Sequence, residues 1–270
     1  MQLLSNSVKS VEAAIDPNNR LTFLLDWELT LKCNLDCDYC ETGLYGGHDN
    51  STRHPPVADC LRSIDFMFEY VDYAMSQRRS SLQSVILNVY GGESLHHPDI
   101  VNILQAAHDK YKPFRDRWAL RVCTTTNLIV SEDRLEKIIS LIDEFTVTYH
   151  TNNTEKQKQQ FRDNCLAVKA AGRDIKCVVL MHAEPELFAD AQAQIQWCQD
   201  HDIRHLPRAL DRSADMHQFD YRPNQIQWFN SLYTKKSHRV SVDINADQPM
   251  NLSEPGRACC GGRQVCVDQN

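Results

Sequence analysis

From residue 21 onward, strand-like and helix-like segments alternate, and that alternation narrows the possible folds more than any other feature. The strand-like runs are TFLLDWELT (22–30), SVILNVY (84–90), ALRVCTTTN (119–127), FTVTYHT (145–151), IKCVVLMH (175–182) and RHLPRAL (204–210). Helix-like runs follow over 57–78, 99–111, 131–142, 154–171, 186–201 and about 223–233, with a last strand expected at 239–244. The first helix shows the pattern well: Val57, Leu61, Ile64, Phe68, Val71 and Met75 recur at spacings of four and three, one apolar stripe, just after Pro55 and Pro56. Ser131 fits the N-cap of the third helix and Gly172 the C-cap of the fourth. Repeated βα units imply parallel strands joined by right-handed crossovers.

Six repeats rather than eight suggest an open, partial (β/α)6 TIM barrel; a doubly wound sheet is the rival. Strand patterning chooses between them. Asp26, Glu28 and Thr30 alternate with Phe23, Leu25, Trp27 and Leu29, and Thr146, Thr148 and His150 alternate with Phe145, Val147 and Tyr149. A parallel sheet covered by helices on both faces reads as continuously apolar. A polar face points to a cupped sheet with side chains lining its hollow.

The chain has 270 residues, a net charge of −7 and a hydrophobic fraction of 42 %, enough for one large core. The acidic balance argues against bulk nucleic-acid binding. The polar N-terminus does not read as a signal peptide, and no apolar run approaches the roughly 20 residues of a membrane span. A cytoplasmic protein is expected, with no membrane partner. Its 11 cysteines then point to metal ligation and buried thiols rather than disulfides. The expected organisation is a polar segment over 1–20, a barrel over 21–245 and a Cys-bearing segment over 246–270.

Cys33, Cys37 and Cys40 form C-x3-C-x2-C directly after the first strand, with Tyr39 before the third cysteine. Three thiolates can hold three irons of a [4Fe–4S] cluster and leave one open for a ligand. Zinc, with His48 or His54 as a fourth ligand, and unligated core thiols are the other readings. Gly91-Gly92-Glu93 follows the second strand. In a βα fold, ligands sit at the C-terminal ends of strands, where two glycines allow close backbone approach and a carboxylate can receive an ammonium group.

Together these motifs resemble those of the radical S-adenosylmethionine (radical SAM) superfamily. The resemblance covers the barrel, with its specific motifs in the first 130 residues. It implies that Cys33, Cys37 and Cys40 ligate the [4Fe–4S] cluster and that Tyr39 lies against the adenine of S-adenosylmethionine. It further implies that Gly91, Gly92 and Glu93 contact the methionyl amine, and that Asn127 and His150 join the cofactor site. An electron carrier such as flavodoxin or ferredoxin would serve it. Thr124, Thr125, Thr126, Met181, His182 and Arg208 also fall near strand ends. His96 and His97 are expected to serve the entrance to the second helix. Cys60, Cys123, Cys165, Cys177 and Cys198 are expected to pack as small apolar groups.

The tail GRACCGGRQVCVDQN carries Cys259, Cys260 and Cys266 beside a Gly-Gly-Arg turn. It resembles the start of a SPASM or twitch extension with an auxiliary Fe–S cluster, although its spacing departs from the usual pattern. Zinc binding, a ligand set completed by a partner, and a redox pair are the alternatives. The tail favours a peptide or protein substrate. Small-molecule chemistry, such as deazapurine, nucleoside or cofactor biosynthesis, is the enzymatic rival, and a non-catalytic zinc-binding module the rival of another class.

Overall fold

Alternate residues of the strands turn to opposite faces, and in this chain one face of the first five strands is mainly apolar, with Thr124 and Thr126 at the end of the third as polar positions on it. The computed structural model describes residues 22–37, 39–40, 54–76, 84–114, 119–212, 217–218, 221–232 and 264–267. In chain order the main elements are β1 (Thr22–Thr30), α1 (Val57–Ser76), β2 (Ser84–Gly91), α2 (Ile100–Tyr111), β3 (Ala119–Thr126), α3 (Glu132–Ile139), β4 (Glu144–Tyr149), α4 (Glu155–Ala170), β5 (Asp174–Met181), α5 (Pro185–Asp200) and β6 (Arg204–Ala209). A small antiparallel pair, β7 (Asp211–Arg212) and β8 (His217–Gln218), precedes α6 (Pro223–Leu232) and β9 (Gln264–Val267).

The strands pair in sequence order, β6-β5-β4-β3-β2-β1, and all pairings among them are parallel. This single direction of winding is that of a partial (β/α)6 barrel rather than a doubly wound sheet, whose strand order reverses at a switch point. β9 adds to the free edge of β1, also parallel. That strand was not anticipated. Four residues carry too little pattern to be read alone, and the edge of β1 supplies the pairing. The expected strand at 239–244, and the segment 1–20, lie outside the described residues.

The helices cover the apolar face. Leu25, Trp27, Leu87, Val122, Phe145 and Val179 of the strands pack with Ile64, Met67, Leu104, Phe161 and Ile195 of the helices in one buried cluster. Cys60, Cys165, Cys177 and Cys198 are buried in it, as expected of small apolar groups. The opposite face is polar. Along β4, Glu144, Thr146 and Thr148 are half-buried while Phe145, Val147 and Tyr149 are buried. On that face Asn88 donates to Asp26 at 2.8 Å, and Arg121 pairs with Glu144 and Asp174. The polar residues that alternate in the sequence therefore occupy the sheet face opposite the helices.

Local caps follow from the residue types. Thr154 and Gln157 form a reciprocal capping box on α4, and Gly172 takes φ +70° just past its end. Ser131 is the N-cap of α3 by backbone geometry but makes no side-chain cap bond. That helix ends at Ile139, earlier than its apolar pattern, because Leu141 and Ile142 are buried in a turn leading into β4.

Candidate active site

The C-terminal ends of β1 to β5 bring together three loops and two histidines. The first loop carries Cys33, Cys37, Tyr39 and Cys40 after β1. Cys37 and Tyr39 are buried, and Cys33 and Cys40 half-buried. The chain turns back at its end through Cys40 N–H donating to the Cys37 carbonyl at 3.1 Å. Beneath it, Leu180 and Leu210 form a small apolar cluster with Cys37 and Tyr39, separate from the main core.

The second loop is Gly91-Gly92-Glu93. Its glycines are required by backbone packing. Gly91 has φ +140°, and a Cβ there would fall 2.1 Å from the Thr30 carbonyl oxygen. At Gly92 a Cβ would lie 2.5 Å from the Leu31 oxygen and 2.6 Å from the Lys32 oxygen. The missing side chains let Gly92 N–H donate to the Thr30 carbonyl at 2.7 Å and Glu93 N–H to the Lys32 carbonyl at 2.9 Å. The turn after β2 is thus clamped to the segment that leads into the cysteines.

Glu93 is buried and its carboxylate is held by three donors. Leu95 N–H at 2.9 Å and the Thr126 hydroxyl at 2.7 Å reach Oε1, and Asn127 N–H at 2.7 Å reaches Oε2. Burial pushes its carboxyl above the usual range, opposed by those three hydrogen bonds. The side chain therefore ties the turn after β2 to the end of β3.

The third loop follows β3. Asn127 is buried; its Nδ2 donates to Asn34 Oδ1 at 2.7 Å and lies 3.8 Å from Cys33 Sγ, while its Oδ1 accepts from Ile129 N–H at 3.0 Å. Asn34 Nδ2 in turn donates to the Ile129 carbonyl at 3.1 Å. Leu128 takes φ +54°, an unfavourable conformation for a branched side chain. The turn is held there by Asn164, whose Nδ2 donates to the carbonyls of Leu128 and Val130, both at 2.9 Å.

Past β4, His150 Nδ1 lies 2.7 Å from the Tyr39 hydroxyl and 3.6 Å from Cys37 Sγ. Tyr39 also donates to Asn152 Oδ1 at 3.2 Å and meets the His182 ring edge-on at 4.9 Å. Burial, with His182 beside it, pushes His150 down to about 4, so its imidazole is neutral near pH 7. Burial also pushes the Cys33 thiol up to about 12, opposed by Leu35 N–H and reinforced by the nearby negative charges of Glu93, Cys37 and Cys40.

A histidine group flanks the outer side of this loop system. His54 Nδ1 is 3.1 Å from the Thr30 hydroxyl, and its ring lies 4.9 Å from His97. His97 accepts from Asp99 N–H at 3.1 Å and contacts the Pro55 carbonyl at 3.0 Å, so it serves the start of α2. Among the described residues, no three His, Cys, Asp or Glu side chains converge as a ready metal-binding group.

The structure thus brings Cys33, Cys37, Cys40, Tyr39, Gly91, Gly92, Glu93, Asn127 and His150 into one contiguous region. Cys259 and Cys260 lie outside the described residues. Cys266 lies on β9, in register with Asp26 of β1. Asn34, Asn152 and Asn164 escaped the sequence reading. Asn164 could have been found: it is a polar residue on the buried stripe of α4 formed by Phe161, Cys165 and Val168.

No family profile and no curated protein matches this chain. Solved structures do. Streptococcus suis SuiB bound to precursor peptide SuiA superposes with a TM-score of 0.54 at 13 % identity, covering 86 % of this chain and 50 % of SuiB. SuiB bound to S-adenosylmethionine gives 0.54 at 14 %, covering 86 % and 52 %. Native anSMEcpe with bound AdoMet and the Cp18Cys peptide gives 0.53 at 9 %, covering 79 % and 60 %. The likeness is one of fold. The chain spans about half the length of SuiB. No helix among the described residues is long and apolar enough to cross a membrane.

Proposed function

We propose that this chain is a radical SAM enzyme acting on a peptide or protein substrate. The observation that carries the reading is the loop of Cys33, Cys37 and Cys40, held over the C-terminal ends of the strands of a partial barrel. The residues there suit a [4Fe–4S] cluster. Thiolates are the soft ligands such clusters take. Leu35 N–H, 3.4 Å from Cys33 Sγ, is a donor that a coordinated thiolate would accept. The bound cluster would supply one electron to cleave S-adenosylmethionine, giving a 5′-deoxyadenosyl radical that takes a hydrogen atom from the substrate.

The chain's own part is placement. Tyr39, Gly91, Gly92, Glu93, Asn127 and His150 would bound the cosubstrate site. Gly91 and Gly92 hold the backbone of the cysteine loop close, and Glu93 braces the ends of β2 and β3. The polar lining of the hollow would receive the substrate, and the Leu180–Leu210 contact would exclude water beneath the cysteines. The peptide reading is supported by SuiB and anSMEcpe, both solved with peptides. In this reading residues 21–245 form the catalytic core and 246–270 an extension in which Cys259, Cys260 and Cys266 take an auxiliary cluster. The protein would be cytoplasmic and draw its electron from a flavodoxin or ferredoxin.

The test is anaerobic reconstitution of the full chain with iron and sulfide. About four irons bound through the first three cysteines, and reductive formation of 5′-deoxyadenosine that disappears in the Cys33→Ala, Cys37→Ala, Cys40→Ala triple variant, are the expected results. Stoichiometric zinc in a colourless protein would overturn the reading in favour of a binding module.

A further inference from the structure

The sulfurs of Cys33 and Cys37 each have a side-chain nitrogen beside them, supplied by residues that follow different strands. Asn127, after β3, sets Nδ2 3.8 Å from Cys33 Sγ. Its orientation is dictated on both sides: Oδ1 accepts from Ile129 N–H, and Nδ2 also donates to Asn34 Oδ1. The amide cannot be turned over without facing Ile129 N–H with its own donor. His150, after β4, sets Nδ1 3.6 Å from Cys37 Sγ.

The proton on His150 follows from its partners. Tyr39 Oη has one hydrogen and lies 3.2 Å from Asn152 Oδ1 and 2.7 Å from His150 Nδ1. A hydroxyl that donates to Asn152 must accept from His150. With the Tyr39 hydroxyl donating to Asn152, the imidazole carries a hydrogen on Nδ1, within reach of both Tyr39 Oη and Cys37 Sγ.

We propose that Asn127 and His150 are positioning residues that donate to the sulfurs of Cys33 and Cys37 and set the reduction potential of the cluster these cysteines bind. The inference rests on the cluster assignment above and adds a role beyond bounding the cosubstrate site. Hydrogen bonds to ligand sulfur are one of the levers on cluster potential. A donor stabilises the more electron-rich, reduced state more than the oxidised one, and so raises the potential. The arrangement also contains its own brake: Tyr39 competes with Cys37 for the single Nδ1 hydrogen.

The test is a redox titration of the anaerobically reconstituted full chain, followed by electron paramagnetic resonance. The cluster signal is identified by its loss in Cys37→Ala, and iron is counted for every variant. His150→Leu removes the donor with little change in size and is expected to move the midpoint to a more negative value. His150→Asn, whose amide nitrogen overlies the Nδ1 position, is expected to restore it towards the parent. Tyr39→Phe removes the competitor and is expected to move the midpoint the other way, to a more positive value. A purely structural role for Tyr39 predicts no such rise. Should His150→Leu fail to take up iron, Tyr39→Phe decides, because it deletes only a hydroxyl. Full iron content with an unmoved or lowered midpoint in Tyr39→Phe overturns the proposal while leaving the cluster assignment standing. Absence of any iron–sulfur signal in the parent protein overturns both.

Discussion

Replacing Gly92 by alanine tests the central packing contact of the site. The added Cβ would lie 2.5 Å from the Leu31 oxygen, 2.6 Å from the Lys32 oxygen and 2.7 Å from the Lys32 carbonyl carbon, whereas ordinary contact begins at 3.4 Å. All three neighbours are backbone atoms, so no side chain can swing aside. The two segments must separate, and the bonds from Gly92 N–H to Thr30 and from Glu93 N–H to Lys32 stretch with them. Overpacking costs about 1–3 kcal/mol, and each lost hydrogen bond about 1 kcal/mol. The total is on the order of 3–5 kcal/mol, a large share of the roughly 5–15 kcal/mol that holds a typical domain together. For a protein of this size the melting temperature should fall by about 6–20 °C. Because the displaced segment leads directly into Cys33, iron uptake should fall as well. Calorimetry of the metal-free protein and an iron count after reconstitution measure the two effects. Gly172→Ala is the control: it also adds a Cβ, at φ +70°, but with nothing within 4 Å, and should cost only about 1 kcal/mol of left-handed strain. A Gly92→Ala protein that melts within about 2 °C of the parent and binds full iron would refute the packing argument.

Glu93→Gln keeps the shape of the buried side chain but turns an N–H2 group towards one of its three donors; denaturant unfolding should show a loss of about 1–3 kcal/mol, and an unchanged midpoint would contradict the bracing role. Tyr221 joins the ends of β5 and β6, donating to the Met181 carbonyl at 2.6 Å and accepting from Leu210 N–H at 2.8 Å; Tyr221→Phe should cost about 1–2 kcal/mol by urea titration, and no loss would argue against that link. Burial, together with His97, Lys32, His96 and Arg134, pushes His54 from its ordinary 6.5 down to about 4. Below pH 6.5 the unfolded chain therefore holds a proton that the folded one refuses, so this contribution is complete above 6.5 and is lost as pH falls towards 4. Urea midpoints of metal-free protein should drop less between pH 7 and pH 5 in His54→Asn than in the parent, and equal drops would exclude His54 as a cause.

Periodicity and residue type were enough to determine the βα alternation, because each element repeats its apolar spacing over several turns or pleats. They also determined which strand face is polar, since Thr146 and Thr148 alternate strictly with Phe145, Val147 and Tyr149. Cysteine spacing marked the loop after β1 because its ligands lie within eight residues of one another. The partners of that loop lie elsewhere in the chain. Asn127 is 94 residues from Cys33, and His150 is 113 residues from Cys37. No local pattern couples such distant positions; they meet because parallel strands in sequence order deliver their C-terminal ends to the same rim. The role of Gly92 illustrates the same limit. A glycine pair announces a close approach, but only the tertiary structure decided that what approaches is the backbone of Leu31 and Lys32. β9 is the extreme case, a strand of four residues that the open edge of β1 completes. Local chemistry sets what each segment can become, and the pairing of segments far apart in sequence decides which atoms face one another across the site.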